Sequence, residues 1–257
     1  MTLLAKTIDL FVFLIPSVST AIECNTIPAE LHSQITSAEA NYILIGEMHG
    51  TNEAPSRFYD VICNAVKTTP KNIKVGIELL DGQGIVNGSN ELLVSSVASS
   101  WQWKKHHDGR TSKAIFELLT KLNTLVKNND VNVFFFDSDN EQRDYFMANN
   151  VINNSTENDL IIVLSGDRHN KVIHGNSWDP TSKNMGAFIK DKDKSVFSVH
   201  LVIEGGHSWY FDKDCSVHKL EDLNLGDRMD FFPAKQLSGY DFHWRLGKTT
   251  ASHPRVK

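Results

Sequence analysis

Residues 42–50 read YILIGEMHG, and residues 161–169 read IIVLSGDRH. Each is a run of β-branched and aliphatic residues that ends on a glycine and reaches a histidine three positions later. A short continuous apolar run bounded by glycine is the pattern of a strand buried on both faces, and such strands belong to parallel sheets covered by helices. Working outward, strands are expected over Tyr42–Ile45, Lys74–Glu78, Val131–Phe136, Leu160–Leu164 and Val196–Ile203, with Tyr240–Trp244 as a last edge strand. Between them, Ala54–Lys67 carries Phe58, Val61, Ile62 and Ala65 at helical intervals. Ser112–Val126 carries Ile115, Leu118, Leu119, Leu122, Leu125 and Val126 in the same way, and Glu141–Ile152 is a weaker third helix. Strands alternating with helices predict an α/β fold, a single domain with a central, mostly parallel β-sheet flanked by helices.

The domain is expected over residues 22–247 of the 257. Residues 1–21 have the layout of a secretory signal peptide: Lys6, an apolar run from Leu10 to Val18, then the small residues Ser19 and Ala21. Cleavage after Ala21 would start the mature chain near Ile22 and export it to a periplasmic or secreted location. Glu23 directly before Cys24 does not suit a lipoprotein signal. No stretch reaches the roughly 20 apolar residues of a transmembrane helix. Cys24, Cys63 and Cys215 are compatible with one disulfide and one free thiol in an oxidising compartment, in a pairing the sequence leaves open. Residues 81–90, with Gly82, Gly84 and Gly88, read as a loop out of step with a dinucleotide-binding fingerprint, and residues 248–257 as an exposed, flexible tail. A net charge of −5 supplies no broad positive field for nucleic acid.

Ligands of open parallel sheets bind beyond the carboxyl ends of the strands. Four expected strands deliver ionisable groups there: Glu47 and His49 after the first, Glu78 at the end of the second, Asp137 and Asp139 after the third, and His169 after the fourth. The bland alternatives are a solvated Glu78 and helix-capping roles for Asp137 and Asp139. The two Gly-x-x-His tetrapeptides are more specific, because a glycine lets the backbone turn beside a ligand and histidine exchanges protons near neutral pH. Glu47, Glu78 and His169 around His49 suit either acid–base catalysis or a divalent metal, and the residue types do not separate the two. LSGDRH does not match a G-x-S-x-G elbow, so Ser165 is not expected as a nucleophile. His174, His200, His207 and His218 read as surface or core histidines, and His106 and His107 as solvated.

Taken together, YILIGEMHGTNEAP, VGIEL, DGRTSKAIFELL, QRDYFMANN and IIVLSGDRH resemble the superfamily of erythromycin-esterase-like proteins, haem-uptake ChaN proteins, TraB/PrgY proteins and TIKI proteases. The resemblance runs from about Tyr42 to His169 and implies a parallel-sheet α/β fold with both motifs facing one cleft. By its esterase-like members, His49 would be the water-activating base and Glu47 its acidic neighbour. By its TIKI-like members, the motifs ending in His49 and His169 would contribute to a metal-dependent peptidase site, with Glu47, His49, Glu78 and His169 as candidate ligands. By its ChaN-like members, the cleft would contact haem. Arg143 and Asp137 are the candidate substrate-binding residues. The expected function is hydrolysis of an ester or amide bond in a small-molecule or peptide substrate, with His49 activating water directly or through a divalent metal. The alternative is a non-catalytic haem-binding or uptake protein that uses the same cleft.

Overall fold

The apolar runs can be buried on two sides only if helices cover both faces of the sheet they form. In the computed structural model, which describes residues 23–37, 40–80, 93–175, 179–192, 195–227, 229–235 and 238–255, they form one eight-stranded sheet. Its strands are β1 (Tyr42–Glu47), β2 (Asn72–Leu80), β3 (Asn132–Asp137), β4 (Asp159–Gly166), β5 (Val196–Phe211), β6 (Cys215–Leu220), β7 (Phe231–Pro233) and β8 (Phe242–Thr249). The spatial order is β3-β2-β4-β1-β5-β8-β7, and β6 forms a hairpin with β5. From β3 to β8 every pairing is parallel, whereas β6 and β7 are antiparallel additions.

The helices are α1 (Ala29–Thr36), α2 (Glu53–Thr68), α3 (Leu93–Ser99), α4 (Trp101–Lys105), α5 (Lys113–Lys127), α6 (Arg143–Asn153) and α7 (Met185–Lys192). Side chains alternate across a strand, so each central strand feeds two cores. Ile43 and Ile45 of β1 join Phe58, Val61 and Ile62 of α2 and Leu118, Leu119 and Leu122 of α5. Tyr42 and Leu44 join Met147 and Val151 of α6 and Met185 and Ile189 of α7. Every residue of β1 is buried, which is why it reads as an unbroken apolar run. Among the described residues, no helix is long and apolar enough to cross a membrane.

Several expectations change. The strand expected at Tyr240–Trp244 runs instead from Phe242 to Thr249, and it is not an edge: β7 pairs along its outer side. With three residues, β7 is too short to leave a periodic signal. β5 continues past Ile203 to Phe211, where its outer half leaves the main sheet as one arm of the hairpin with β6. The expected flexible tail is packed through Arg255. Thr249 and Ser252 are buried, and backbone bridges join Thr51 to Ala251 and Ser112 to Pro254. The physical reason is the start of two helices. Ser252 Oγ accepts the Ala114 amide and the His253 carbonyl accepts the Lys113 amide at the head of α5, while Glu53 at the head of α2 accepts the Thr250 amide. Neither aspartate caps α6: its N-cap is Gln142, whose amide donates to Asn140 Oδ1 at 3.1 Å, and Asp139 is exposed. Cys24 pairs with Cys63 of α2 and Cys215 is free. The expected signal peptide and the loop at 81–90 lie outside the described residues.

Candidate active site

The site strands β3, β2, β4 and β1 are consecutive in the sheet, so their carboxyl ends open into one cleft. The first motif loop is pinned from behind. Gly50 has a φ of 79°, and its carbonyl accepts the amides of Trp209 (2.9 Å) and Ser252 (2.8 Å). A Cβ there would collide with the Trp209 backbone, so only glycine lets the β5 arm lie against the loop. Ser208 Oγ donates to the His49 carbonyl at 2.6 Å and fixes the backbone that carries the imidazole.

Each motif histidine is oriented by a carboxylate on Nδ1. Glu47 Oε1 lies 2.9 Å from His49 Nδ1, and Asp144 Oδ1 lies 2.7 Å from His169 Nδ1. Asp144 is itself held by the Met185 amide at 2.8 Å. Both Nε2 atoms then point toward Glu78: His49 Nε2 is 3.3 Å from Oε2, and His169 Nε2 is 3.8 Å from Oε1. Glu78 also accepts the Gly166 amide (2.6 Å) and Arg143 Nη2 (2.6 Å). Arg143 Nη1 lies 3.2 Å from His169 Nε2. A guanidinium can only donate, so His169 Nε2 accepts and its Nδ1–H donates to Asp144.

Asp137, buried at the end of β3, underlies this layer. Its Oδ1 accepts Arg143 Nε at 2.7 Å and its Oδ2 accepts Arg110 Nη1 at 2.9 Å. Arg110 is clamped in turn by Asp108 Oδ2, at 2.7 Å from Nη2 and 3.2 Å from Nε.

The charges follow from burial and contact. Burial alone would push Glu78 up, but the charge of His49, its contact with the carboxylate and the charge of Arg143 outweigh it and hold this carboxyl well below its usual range. Burial would likewise lower His49. The charge of Glu78 and hydrogen bonds to Glu47 and Glu78 outweigh it and raise the ring to about 10. Glu47 moves the other way, raised by burial that His49 offsets only in part, and its Oε2 is buried with no hydrogen-bond partner. Both members of the Glu47–His49 contact are thus shifted toward holding a proton, and the ring is the one raised to about 10.

The cleft is an open cavity of about 310 Å³, lined by both histidines, Glu78, three arginines and, from the β5 arm, Tyr210 and Phe211. The structure thus brings together all six expected residues, Glu47, His49, Glu78, Asp137, Arg143 and His169. Ser165 is fully buried at the end of β4, and His200 stacks on Tyr240 behind Asp167. His106 and His107 are half-buried, with the His107 carbonyl accepting the Trp209 indole. Four residues lay beyond the strand-end rule. Asp108, Gly109 and Arg110 come from the 3₁₀ turn (Gly109–Thr111) that precedes α5, and Asp144 from the first turn of α6. The signal for the first three was the DGRTS segment, which no strand precedes, and Asp144 lies in the QRDYF segment at the start of α6. Among the described residues, no group of three or more His, Cys, Asp or Glu side chains is arranged to hold a metal ion.

No protein-family model and no curated protein matches the sequence. Solved structures do. A succinoglycan biosynthesis protein superposes with a TM-score of 0.59 at 10% identity, over 88% of this chain and 92% of its own. A protein from Bacillus cereus does so with a TM-score of 0.55 at 11% identity, again over 88% of this chain and 92% of its own. The type III effector HopBA1 gives 0.49 at 9% identity, over 90% of this chain and 100% of its own. At these identities, what the chain shares with the first two is its fold.

Proposed function

We propose that the cleft hydrolyses an ester or amide bond of a small-molecule or peptide substrate, as a member of the superfamily its motifs resemble. The observation that supports this most is the convergence of two carboxylate-oriented imidazoles on the ionised Glu78 in a cavity open to solvent. Histidines ordered through Nδ1 offer Nε2 for proton transfer. As the attacking water replaces the 3.2 Å contact from Arg143, His169 Nε2 takes a proton from it, and the water oxygen joins the carbonyl carbon. His49, protonated at rest, gives its Nε2 proton to the departing oxygen or nitrogen as the scissile bond breaks. Arg143 and Arg110 border the place where the carbonyl oxygen gains charge. The resemblance alone puts water activation on His49; a ring held at about 10 has no lone pair to offer at neutral pH, so that role passes to His169.

Neither metal nor haem enters this chemistry. A cation bound to Glu47, His49, Glu78 and His169 would compete with Arg143 and the Gly166 amide for Glu78, and would sit against the guanidinium facing His169. A porphyrin wants broad apolar walls, whereas the Tyr210 and Phe211 side of this cavity faces Glu78, Asp108, Asp167 and three arginines.

The test is turnover of a panel of simple esters and amides by the purified protein, with and without a chelator. Turnover that survives chelation is expected, as is a loss on the order of 10²–10⁴-fold in His49→Ala and in His169→Ala. The double variant should lose little more than the worse single one, because groups of one assembly are non-additive. Activity restored only by added metal, or a haem absorbance band in the purified protein, would defeat the proposal.

A further inference from the structure

Arg143 faces two cavities. One is the catalytic cleft; the other, of about 670 Å³, lies between the head of α6 and the approach to α7. The ridge between them is Arg143 together with the 2.7 Å bond from Asp144 to His169. Most of the larger cavity's lining is polar or charged, and its two aromatic residues, Tyr145 and Phe188, stand together on one side. Tyr145 is 42% exposed and meets the Phe188 ring edge-on at 5.4 Å. Tyr145 contributes nothing to the core, which α6 supplies with Met147, Ala148 and Val151. Lys183 lies over Phe188 at 5.6 Å, and its charge is taken by Asp191 at 2.7 Å. An edge-on aromatic pair with one ring left to solvent is a shape that accepts a further ring by stacking.

Building on the hydrolase reading, we infer that this cavity is a subsite for an aromatic group carried by the substrate, so that the protein favours aryl-bearing esters or amides. A substrate laid across Arg143 would place its scissile carbonyl beside the histidines and its ring against Tyr145. That one guanidinium borders both cavities supports a single extended ligand over two separate ones.

The experiment compares paired substrates, the methyl esters of phenylacetic and acetic acid, in wild type, Tyr145→Ala and Tyr145→Phe. Wild type should prefer the phenyl-bearing ester in kcat/KM. Tyr145→Ala should reduce that preference by about tenfold, the size of one good aromatic contact, and Tyr145→Phe should restore it. A preference unchanged in Tyr145→Ala overturns the subsite and leaves the hydrolase reading standing. If wild type cleaves neither ester, it is the hydrolase reading that fails, and the subsite is read from calorimetric binding of phenylacetate itself. Weaker binding in Tyr145→Ala then supports it, and equal binding overturns it.

Discussion

Glu78 Oε2 lies 3.3 Å from His49 Nε2, although the strands that carry them, β2 and β1, are not neighbours. β4 runs between, and its last residue, Gly166, leaves the gap through which they meet. A Cβ on Gly166 would stand 3.0 Å from His49 Nε2 and 3.6 Å from Glu78 Oε2. The glycine of the second motif is therefore a matter of space, not of backbone conformation: its φ of −52° suits any residue. Gly166→Ala is expected to fold, at a cost of about 1–3 kcal/mol for the crowding, and to push the imidazole off the carboxylate. NMR titration of His49 should then show its pKa falling toward that of an ordinary histidine. An unchanged titration would mean that the pair meets without needing the gap.

His49 should give stability a particular pH dependence. Its pKa is raised in the folded protein from 6.5 to about 10, so below 6.5 the ring is protonated in folded and unfolded chains alike and its contribution is complete. As pH rises from there to about 10, the unfolded chain releases the proton first and that stability is lost, on the order of a few kcal/mol. Glu78 acts with the opposite sign: its depressed pKa stabilises the fold above 4.5, and the contribution disappears as pH falls below that. Thermal melts should show a plateau between these limits with a decline on both sides. In His49→Gln the alkaline decline should flatten, and a wild type equally stable at pH 6 and pH 9.5 would show that His49 does not carry the proton.

Asp137 holds two guanidiniums from below, so Asp137→Asn strands both Arg110 and Arg143 with half their support. Losing one partner of a buried ion pair is costly, and the partial exposure of these arginines places the loss at about 2–3 kcal/mol. Urea unfolding measures it. Because Arg143 also positions His169 and Glu78, catalysis should fall in the same variant by more than instability explains at temperatures where it stays folded. A variant as stable as wild type would show that Asp108 and Glu78 suffice to hold both arginines.

The disulfide joins the segment before α1 to α2, beside hydrogen bonds from Asn25 to Asp60. Such a bond persists in an oxidising compartment, the kind that export would reach. Mass spectrometry of the protein from its native source should find a mature chain that begins near Ile22 and is lighter by two hydrogens for the bridge. An intact Met1 would remove the export reading.

The strand ends and their chemistry were legible because burial on both faces writes an unbroken apolar run, and the residue that breaks it is the one at the cleft. Glu47, His49, Glu78, Asp137 and His169 all stand at such breaks, with Arg143 shortly after one. Asp108, Arg110 and Asp144 were not legible in this way. They reach the site from a turn and a helix start, whose position depends on how α5 and α6 pack rather than on any local period. The same limit hid β6, β7 and the packed segment after Gly247, which gain their order from partners far away in the chain. What the sequence determined by itself was the fold class and the presence of two imidazoles and several carboxylates at one edge of a sheet. Which of them carries the proton was decided only by the tertiary structure. Burial strips the water that would screen Glu47 and Glu78, and at about 3 Å these carboxylates then hold on His49 a charge that an exposed histidine would lose near neutral pH.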